Sequence, residues 1–263
     1  MVPTLSSFCT CAEFSRIGLT IAQAVKVELN KKATKPSYKL QLDLGAALIE
    51  EHKKLYKKPV YSSSAQLCSN HCIEDLTGQQ MLTVINFPRK QIGTSMSDCL
   101  TTGVLKESAD EQEKRDSTVF VKPSTVVPLG SKVSLLAEKE CFQTNPRDIV
   151  WTDFLKLDFR IGTLAACDYL KPITEEINQV LFAIELGELG SRTCIARLSL
   201  ENGMNLIGKQ VLVLTNLDPV SKEELFSLED YKPCGEEVVL CTVDGGKAVL
   251  EPGKLVENGL KLA

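Results

Sequence analysis

The chain has 263 residues, of which 43% are hydrophobic, and 30 Lys and Arg against 34 Asp and Glu give a net charge of −4. Its apolar runs are too short for a membrane helix, and residues 1–11 lack the basic and apolar segments of a secretory signal, so a cytoplasmic protein is expected. Ten cysteines and two histidines without a well-spaced ligand set predict reduced thiols and neither a metal nor another cofactor.

The charge is unevenly distributed along the chain. Residues 1–100 contain 12 Lys and Arg against 8 Asp and Glu, whereas residues 101–263 contain 18 against 26. A basic first half and an acidic second half assign any nucleic-acid role to the first half.

An internal repeat organises the chain. Residues 14–22 match residues 154–162, and the alternating strand pattern of residues 38–45 matches residues 181–187. Landmarks further along keep nearly equal spacing, with 37 positions from Asn86 to Pro123 and 36 from Asn216 to Pro252. The sequence therefore predicts two diverged copies of one unit.

A predicted strand in the first copy ends at a charged rim. Residues 82–85 favour a strand, and Asn86-Phe87-Pro88 ends it, because proline cannot donate to a ladder. Arg89 and Lys90 follow, and then a small polar loop over residues 93–98. Residues 211–219 repeat the strand and its end without the two cations, so the rim of the first copy is the candidate binding site.

The copies also differ in their connections. Residues 46–59 of the first copy form an insertion, read as a short basic helix or an extended hairpin; its lysines, Lys53, Lys54, Lys57 and Lys58, form either a solvated face or an arm that contacts phosphate. A charged stretch over residues 106–116 predicts a flexible loop. Trp151, just before the second copy, is expected either to cap the core of that copy or to pack on the first.

Short strands punctuated by Gly and Pro predict an all-β chain of two tandem OB-fold barrels, each five-stranded, antiparallel and of Greek-key topology, with short helical additions. The predicted organisation is an N-terminal extension (1–11), a first OB domain (12–137, with insertions near 46–59 and 105–117), a linker (138–150) and a second, degenerate OB domain (151–263).

Four motifs carry a resemblance to a known family. They are residues 154–162 (Phe-x-Lys-Leu-Asp-x-Arg-x-Gly), residues 63–66 (Ser-Ser-Ala-Gln), residues 86–89 (Asn-Phe-Pro-Arg) and residues 252–261 (Pro to Val-x-Asn-Gly-x-Lys). Together they resemble the CsaA-like tRNA-binding OB domain, which also occurs as an appendage of methionyl-tRNA synthetase. The resemblance implies binding of structured tRNA largely by shape. It also implies that the two copies pack as an intramolecular pseudo-dimer, since CsaA-like domains typically dimerise.

The resemblance implies an RNA-binding set in the first copy. Gln66 and Asn86 would form hydrogen bonds, Arg89 and Lys90 would meet phosphates, and Ser97 with Asp98 matches the Ser-Glu/Ser-x-Gly-Met loop of the family. Ser63 and Ser64 would shape the barrel wall. In the second copy, Lys156, Asp158 and Arg160 are expected to form a structural ion-pair set.

Two function classes remain open. The first is a non-catalytic tRNA-binding protein that is associated with an aminoacyl-tRNA synthetase. Its two copies are expected to form an intramolecular pseudo-dimer, and otherwise the chain is expected to be a monomer. The alternative is a chaperone-like or scaffold module that binds protein clients and no RNA. An enzyme is not expected, because no Ser/His/Asp set, His-Glu-x-x-His motif, P-loop or dinucleotide glycine pattern is present.

Overall fold

The computed structural model of the chain describes residues 8–31, 33, 35–51, 60–92, 95–105, 118–135, 148–172, 174, 178–226 and 237–263. Over these ranges the chain consists mainly of short β-strands joined by brief helices. Among the helices within these ranges, none has the length and apolar character needed to cross a membrane.

The first half begins with a helix and continues as a series of short strands. Its elements are α1 (Cys11–Arg16), β1 (Leu19–Leu29), β2 (Tyr38–Asp43), α2 (Ala46–Glu51), β3 (Val60–Ala65), α3 (Ile73–Leu76), β4 (Gln80–Val84), β5 (Lys90–Ile92), β6 (Ser95–Ser97), β7 (Leu100–Thr101), β8 (Gly103–Leu105), β9 (Thr118–Pro123) and β10 (Val133–Leu135). Along β2 and β3, buried side chains alternate with more exposed ones. Each of these strands therefore has one face in the core.

The second half repeats this plan with longer strands. Its elements are α4 (Trp151–Leu155), β11 (Phe159–Pro172), β12 (Asn178–Glu185), a 3₁₀ turn (Gly187–Leu189), β13 (Ser191–Leu198), α5 (Leu200–Met204), β14 (Gln210–Leu214), α6 (Pro219–Phe226), β15 (Val239–Val243) and β16 (Ala248–Pro252). All five residues of β14 and of β15 are buried, so these central strands are covered on both faces.

The two halves build sheets with the same strand order. The order is β3-β2-β1-β4-β7 in the first half and β13-β12-β11-β14-β15 in the second, and each of these pairs is antiparallel. The long first strand of each half shifts register at an equivalent point, after Ala24 in β1 and after Leu164 in β11. Such bulges bend a strand and let a sheet curl. The prediction of an all-β chain of five-stranded OB-type sheets is confirmed.

Equivalent glycines close the last turn of each half. Gly130 and Gly259 both have a φ near the left-handed region, at 83° and 87°. A Cβ on Gly130 would lie 2.7 Å from the Leu44 carbonyl oxygen, so the turn needs glycine for space as well as for conformation. The two amides donate to equivalent carbonyls, those of Ile21 and Ile161.

The final strands of each half cross to the other half. Strand β9 pairs antiparallel with β16, with Lys122 directly opposite Glu251, and their side chains form an ion pair at 3.4 Å. Strand β10 pairs with β15, and at the C-terminus Leu262 pairs with Val104 of β8. The halves are thereby joined through main-chain hydrogen bonds as well as side chains.

Three clusters of buried apolar side chains hold the molecule together. One lies within the first half and includes Leu40 and Met81, and one lies within the second and includes Phe182 and Val211. The largest draws residues from both halves: its members include Phe14, Ile21, Val84, Val121, Phe154, Phe159, Leu214 and Leu250. Burial of this shared cluster stabilises the contact between the halves by the hydrophobic effect.

The structure differs from the sequence-based prediction between residues 88 and 98. The polar loop predicted over residues 93–98 is wrong in part, because Ser95–Ser97 forms strand β6, which pairs with β5 as a hairpin. Main-chain hydrogen bonds sustain this hairpin without an alternating apolar pattern, so the pattern alone does not indicate it. Of the insertion at 46–59, Ala46–Glu51 is helical. Several predicted segments lie outside the described residues. They are the four lysines of the insertion (Lys53, Lys54, Lys57 and Lys58), the stretch 106–116 and residues 138–147 of the linker.

Candidate nucleic-acid interface

Asn86 is engaged inside the protein. Its Oδ1 accepts from the Gly18 amide at 2.8 Å, and its Nδ2 donates to the Arg16 carbonyl at 2.8 Å. The Ile149 amide of the second half donates to the Asn86 carbonyl at 3.0 Å. The side chain is buried. Asn86 therefore ties the end of α1 and the start of the second half to the end of β4.

Asn216 has the same role in the second half. Its Oδ1 accepts from the Asp158 amide at 2.9 Å, and its Nδ2 donates to the Lys156 carbonyl at 2.7 Å. The Cys9 amide of the first half donates to the Asn216 carbonyl at 2.9 Å. Both halves thus use one asparagine to fix their own helix end and the segment that crosses from the other half. This shared geometry assigns Asn86 to the fold, and the hydrogen bond to RNA expected of it stays a prediction.

Ser63 and Ser97 also point into the protein. The Ser63 hydroxyl oxygen accepts from the amide and the hydroxyl of Thr101, at 3.2 and 3.0 Å. The Ser97 hydroxyl donates to the Cys99 carbonyl at 2.9 Å. Both serines are buried. They fix the edge of the barrel next to the β5–β6 hairpin, so their contribution to any RNA contact would be to shape the wall.

Asp98 anchors Arg89 to the barrel. Its Oδ1 accepts from Arg89 Nε at 2.7 Å, and its Oδ2 accepts from the Ser62 amide at 2.9 Å. Only 3% of the Asp98 side chain is exposed, whereas 64% of the Arg89 side chain is. The guanidinium is therefore held at its Nε and offered to solvent over most of its surface.

Tyr61 lies beside this pair, inside the first barrel. Burial raises the pKa of the Tyr61 phenol to about 12, and the negative charge of Asp98 adds to the rise. The phenol therefore stays protonated over the physiological range. A neutral phenol leaves Asp98 and Arg89 as the charged groups at this position.

The outward faces of β1, β2 and β3 adjoin this anchor. Residues that pair directly across an antiparallel sheet share a face, and two rows cross these three strands. The rows are Lys26, Gln41 and Ser62, and Glu28, Lys39 and Ser64. Gln66 follows β3 and is half-buried. Lys90 is exposed on β5 opposite Ser97. Of the predicted set, Ser64 lies on this polar face, Arg89 is anchored beside it through Asp98 and the Ser62 amide, and Lys90 is exposed on the adjoining hairpin.

The equivalent rows of the second half are largely apolar. They are Ala166, Ala183 and Thr193, and Asp168, Leu181 and Ile195. Ile195 is buried and belongs to the shared cluster together with Leu225 of α6. Helix α6 takes the place of the β5–β6 hairpin in the chain. The face that is polar in the first half therefore has an apolar, partly covered counterpart in the second.

A buried ion pair stands where Arg89 and Asp98 stand in the first half. The register of β14 with β15 makes Glu237 the counterpart of Asp98, and Lys222 Nζ lies 3.9 Å from Glu237 Oε2. Both side chains are fully buried. The ammonium group of Lys222 is consequently enclosed by protein.

The ion-pair set predicted near the start of the second half is present in altered form. Asp158 Oδ1 accepts from Arg160 Nε at 2.9 Å and lies 3.2 Å from Lys261 Nζ, whereas Lys156 pairs with Glu13 of the first half. Burial alone would raise the pKa of Asp158, but Arg160, a Thr215 hydrogen bond and Lys261 outweigh it and hold that pKa below its ordinary value. The set joins the start and end of the second half.

Lys26 and Lys39 are absent from the set that the sequence predicted, and the strand register places both on the polar face. The alternation of residues 38–43 indicated that Lys39 faces outward, but only the pairing with β3 places it beside Ser64. Among the described residues, no cluster of three or more His, Cys, Asp or Glu side chains could hold a metal ion.

Comparisons with known proteins give matches in sequence and in structure. No protein-family model matches the chain. Methionine–tRNA ligase of Methanococcoides burtonii is 35% identical over 117 residues, which amount to 42% of this chain and 15% of the ligase. The chain therefore spans a small part of the length of this relative.

Solved structures align as well. The CsaA chaperone of Bacillus anthracis aligns with a TM-score of 0.38 and 26% identity, over 48% of this chain and 98% of that one. The C-terminal domain of Plasmodium vivax p43 aligns with a TM-score of 0.42 and 13% identity, over 70% and 93%. The sequence identity to the ligase confirms that this chain resembles the CsaA-like tRNA-binding domain.

Proposed function

We propose that this chain is a non-catalytic tRNA-binding protein that contacts RNA through its first half. The observation that carries the proposal is the anchored and exposed guanidinium of Arg89, held by the buried carboxylate of Asp98 at 2.7 Å. An arginine fixed at one nitrogen keeps further donors for phosphate and loses less rotamer freedom when it binds.

The surroundings of Arg89 suit an RNA backbone. Lys90 follows on the same hairpin, and Lys39 and Ser64 lie side by side on the outward face of β2 and β3. Cations attract phosphates, and hydroxyl and amide groups contact sugar and phosphate oxygens without reading bases. The corresponding face of OB folds is a common oligonucleotide site. Identity to a methionine–tRNA ligase supports tRNA as the ligand.

The second half would serve mainly as a structural partner. Lys222, which corresponds to the anchored cation of the first half, is enclosed with Glu237, and the outward rows of the second half are largely apolar. The β9–β16 pairing and the shared apolar cluster support an intramolecular pseudo-dimer, and Lys122 opposite Glu251 supplies opposite charges where two identical copies would place like ones. We infer a monomeric chain, which sedimentation equilibrium tests; an obligate dimer of the full chain would contradict it.

Two further parts of the proposal concern its setting. An aminoacyl-tRNA synthetase is the proposed protein partner, because the related sequence belongs to such an enzyme. A reducing, cytoplasmic compartment suits the eight described cysteines, which are all free thiols.

Binding of unfractionated tRNA to the full chain over a salt series tests the function. We expect affinity to fall steeply with salt, and the Arg89→Gln/Lys90→Gln variant to reduce the slope of log K against log salt by about 1 to 2 units. The matched control is Lys209→Gln/Lys247→Gln, which removes two exposed lysines from the second half.

The control variant should bind as the wild type does. Equal losses in the two variants would mean that binding depends on total charge and would contradict a site in the first half. Absence of salt-dependent tRNA binding by the wild-type chain would overturn the function itself.

The second candidate function is a protein-binding module. Val126 and Leu255 occupy equivalent loops after β9 and β16, and they are 90% and 83% exposed. Each would offer an exposed apolar contact to a protein client, at an equivalent position of each half. Binding of an unfolded client that is lost in Val126→Ser/Leu255→Ser, with no binding of tRNA, would favour this candidate.

A further inference from the structure

An aromatic pair lies across the contact between the two halves. Trp151, the first residue of α4, packs against Phe87 of the first half, with ring centroids 5.7 Å apart and planes inclined by 34°. Trp151 nevertheless remains 46% exposed. An indole that is packed on one side and exposed over nearly half its surface offers a fixed apolar face to solvent.

The pair lies next to the cations of the first half. Phe87 precedes Arg89 by two residues, so their Cα atoms are at most about 7 Å apart. The Ile149 amide donates to the Asn86 carbonyl at 3.0 Å and fixes the segment before α4 against this turn. The second half thereby supplies an aromatic side chain to the rim that carries Arg89 and Lys90.

Trp151 is held rigidly in this position. Its ring also packs on Phe154, with centroids 5.5 Å apart, and Phe154 is buried in the shared cluster. The Val150 amide donates to Asp153 Oδ2 at 3.0 Å, which caps α4. Arg16 of the first half lies 3.7 Å from the same carboxylate. A preorganised aromatic surface loses little conformational entropy when a ligand stacks on it.

The equivalent position at the other rim has no such pair. There Cys11 stands for Trp151 and Leu217 for Phe87, and the Cys11 amide donates to Ser221 Oγ of α6 at 3.2 Å. Trp151 is the sole tryptophan of the chain. The aromatic pair is thus confined to the rim that also has exposed cations.

We propose that Phe87 and Trp151 form a stacking shelf for an unpaired nucleobase of RNA whose phosphates lie at Arg89 and Lys90. The inference rests on the proposed RNA-binding function and extends it, because the site then includes a residue of each half. Aromatic side chains stack on bases of any sequence, and flanking cations hold the backbone beside them. The positive charge beside the shelf favours RNA over an apolar peptide segment.

Because Trp151 is the sole tryptophan, its own fluorescence tests the shelf directly. Single-stranded oligouridylate and unfractionated tRNA are each titrated into the full chain while the tryptophan fluorescence of the protein is recorded. The anisotropy of labelled RNA is measured over the same concentrations to give the bound fraction. We expect quenching that saturates at the same RNA concentration as the anisotropy. Stacking is worth about 1–3 kcal/mol per base, so Trp151→Leu should weaken oligouridylate binding about five- to hundredfold.

Two variants separate stacking from folding and from general apolar contact. Trp151→Phe keeps an aromatic ring and should retain most of the affinity. Phe8→Leu removes an aromatic ring that is 58% exposed and directly precedes Cys9, which pairs with Leu217 at the other rim, and it should leave binding unchanged.

The possible results distinguish the two proposals. If Trp151→Leu binds RNA as the wild type does while Arg89→Gln/Lys90→Gln still lowers the salt slope, the shelf is wrong and the RNA-binding function stands. If the wild-type chain binds no RNA, both fail. Quenching by an unfolded protein but not by RNA would also overturn the shelf and assign the surface to a protein.

Discussion

The two halves solve the same structural problem with cations of opposite accessibility. Each buries a carboxylate two residues before a strand, Asp98 before β7 and Glu237 before β15, and each supplies a cation from the preceding connection. In the first half a short hairpin leaves Arg89 in solvent, whereas in the second half Lys222 of α6 is enclosed. A buried charge needs a partner in either case, so the pairing belongs to the fold. What differs is whether the cation can also meet a ligand.

Asn86 and Asn216, in contrast to the cations, have the same role in both halves. Asn86 and Asn216 make the same two side-chain hydrogen bonds and accept one main-chain hydrogen bond from the opposite half. A feature found in both halves, including the half in which the cation of the equivalent ion pair is buried, is explained by folding. Function is therefore better sought in what the halves do not share.

The largest effect on stability is expected from Lys222. Lys222→Met leaves Glu237 buried without this cation, which should lower the free energy of unfolding by about 3–5 kcal/mol. Arg89→Met should cost about half as much or less, because solvent screens the exposed guanidinium and Asp98 keeps its bond from the Ser62 amide. Urea unfolding measures both. Equal losses would contradict the contrast between a buried and an exposed cation.

The asparagines should be equivalent. Asn86→Ala and Asn216→Ala each leave a buried amide and a carbonyl without a partner, so each should lower the free energy of unfolding by about 2–3 kcal/mol. Neither should change the salt slope of tRNA binding at a temperature where the variant is folded. If the salt slope of tRNA binding changed in Asn86→Ala and not in Asn216→Ala, Asn86 would be a contact of the RNA after all.

Acid should weaken the first half in particular. Burial, and then the nearby charge of Lys254, lower the pKa of His71 to about 4, although Asp75 opposes the shift. Since the unfolded chain binds a proton near pH 6.5 and the native chain only near 4, stability present above about 6.5 is lost as the pH falls towards 4.

The expected loss between about pH 7 and pH 5 is about 2 kcal/mol. Urea unfolding at the two pH values measures it. In His71→Leu this part of the pH dependence should disappear, because the variant has no imidazole to titrate at this position. An unchanged pH profile in His71→Leu would contradict the assignment.

Much of the fold was predictable because the sequence contains two copies of the same strand pattern. The stop at Asn86-Phe87-Pro88 and its repeat at Asn216 gave matched strand ends, and the strand orders of the halves agree with that match. The β5–β6 hairpin was not predictable, since Ser95 to Ser97 have neither apolar alternation nor high strand propensity and rely on main-chain pairing.

The site was less predictable than the fold. An asparagine after a strand suits a ligand contact and a buried cap equally, and only the partners of Asn86 decide between them. Lys222 lies in an acidic stretch, residues 221–230, and its burial depends on Glu237, which the fold brings to it. Trp151 was expected to cap one core or pack on the first copy, but its packing on Phe87, two residues before Arg89, depends on how the halves join.

The proposed RNA site is the rim of the first half and not the equivalent surface of the second half, which helix α6 covers in part. Hydrogen exchange of the full chain with and without unfractionated tRNA tests it most directly. Slowed exchange is expected at β3 and at the β5–β6 hairpin, with no change along α6. Protection of α6 equal to that of the hairpin, or protection confined to the second half, would contradict it.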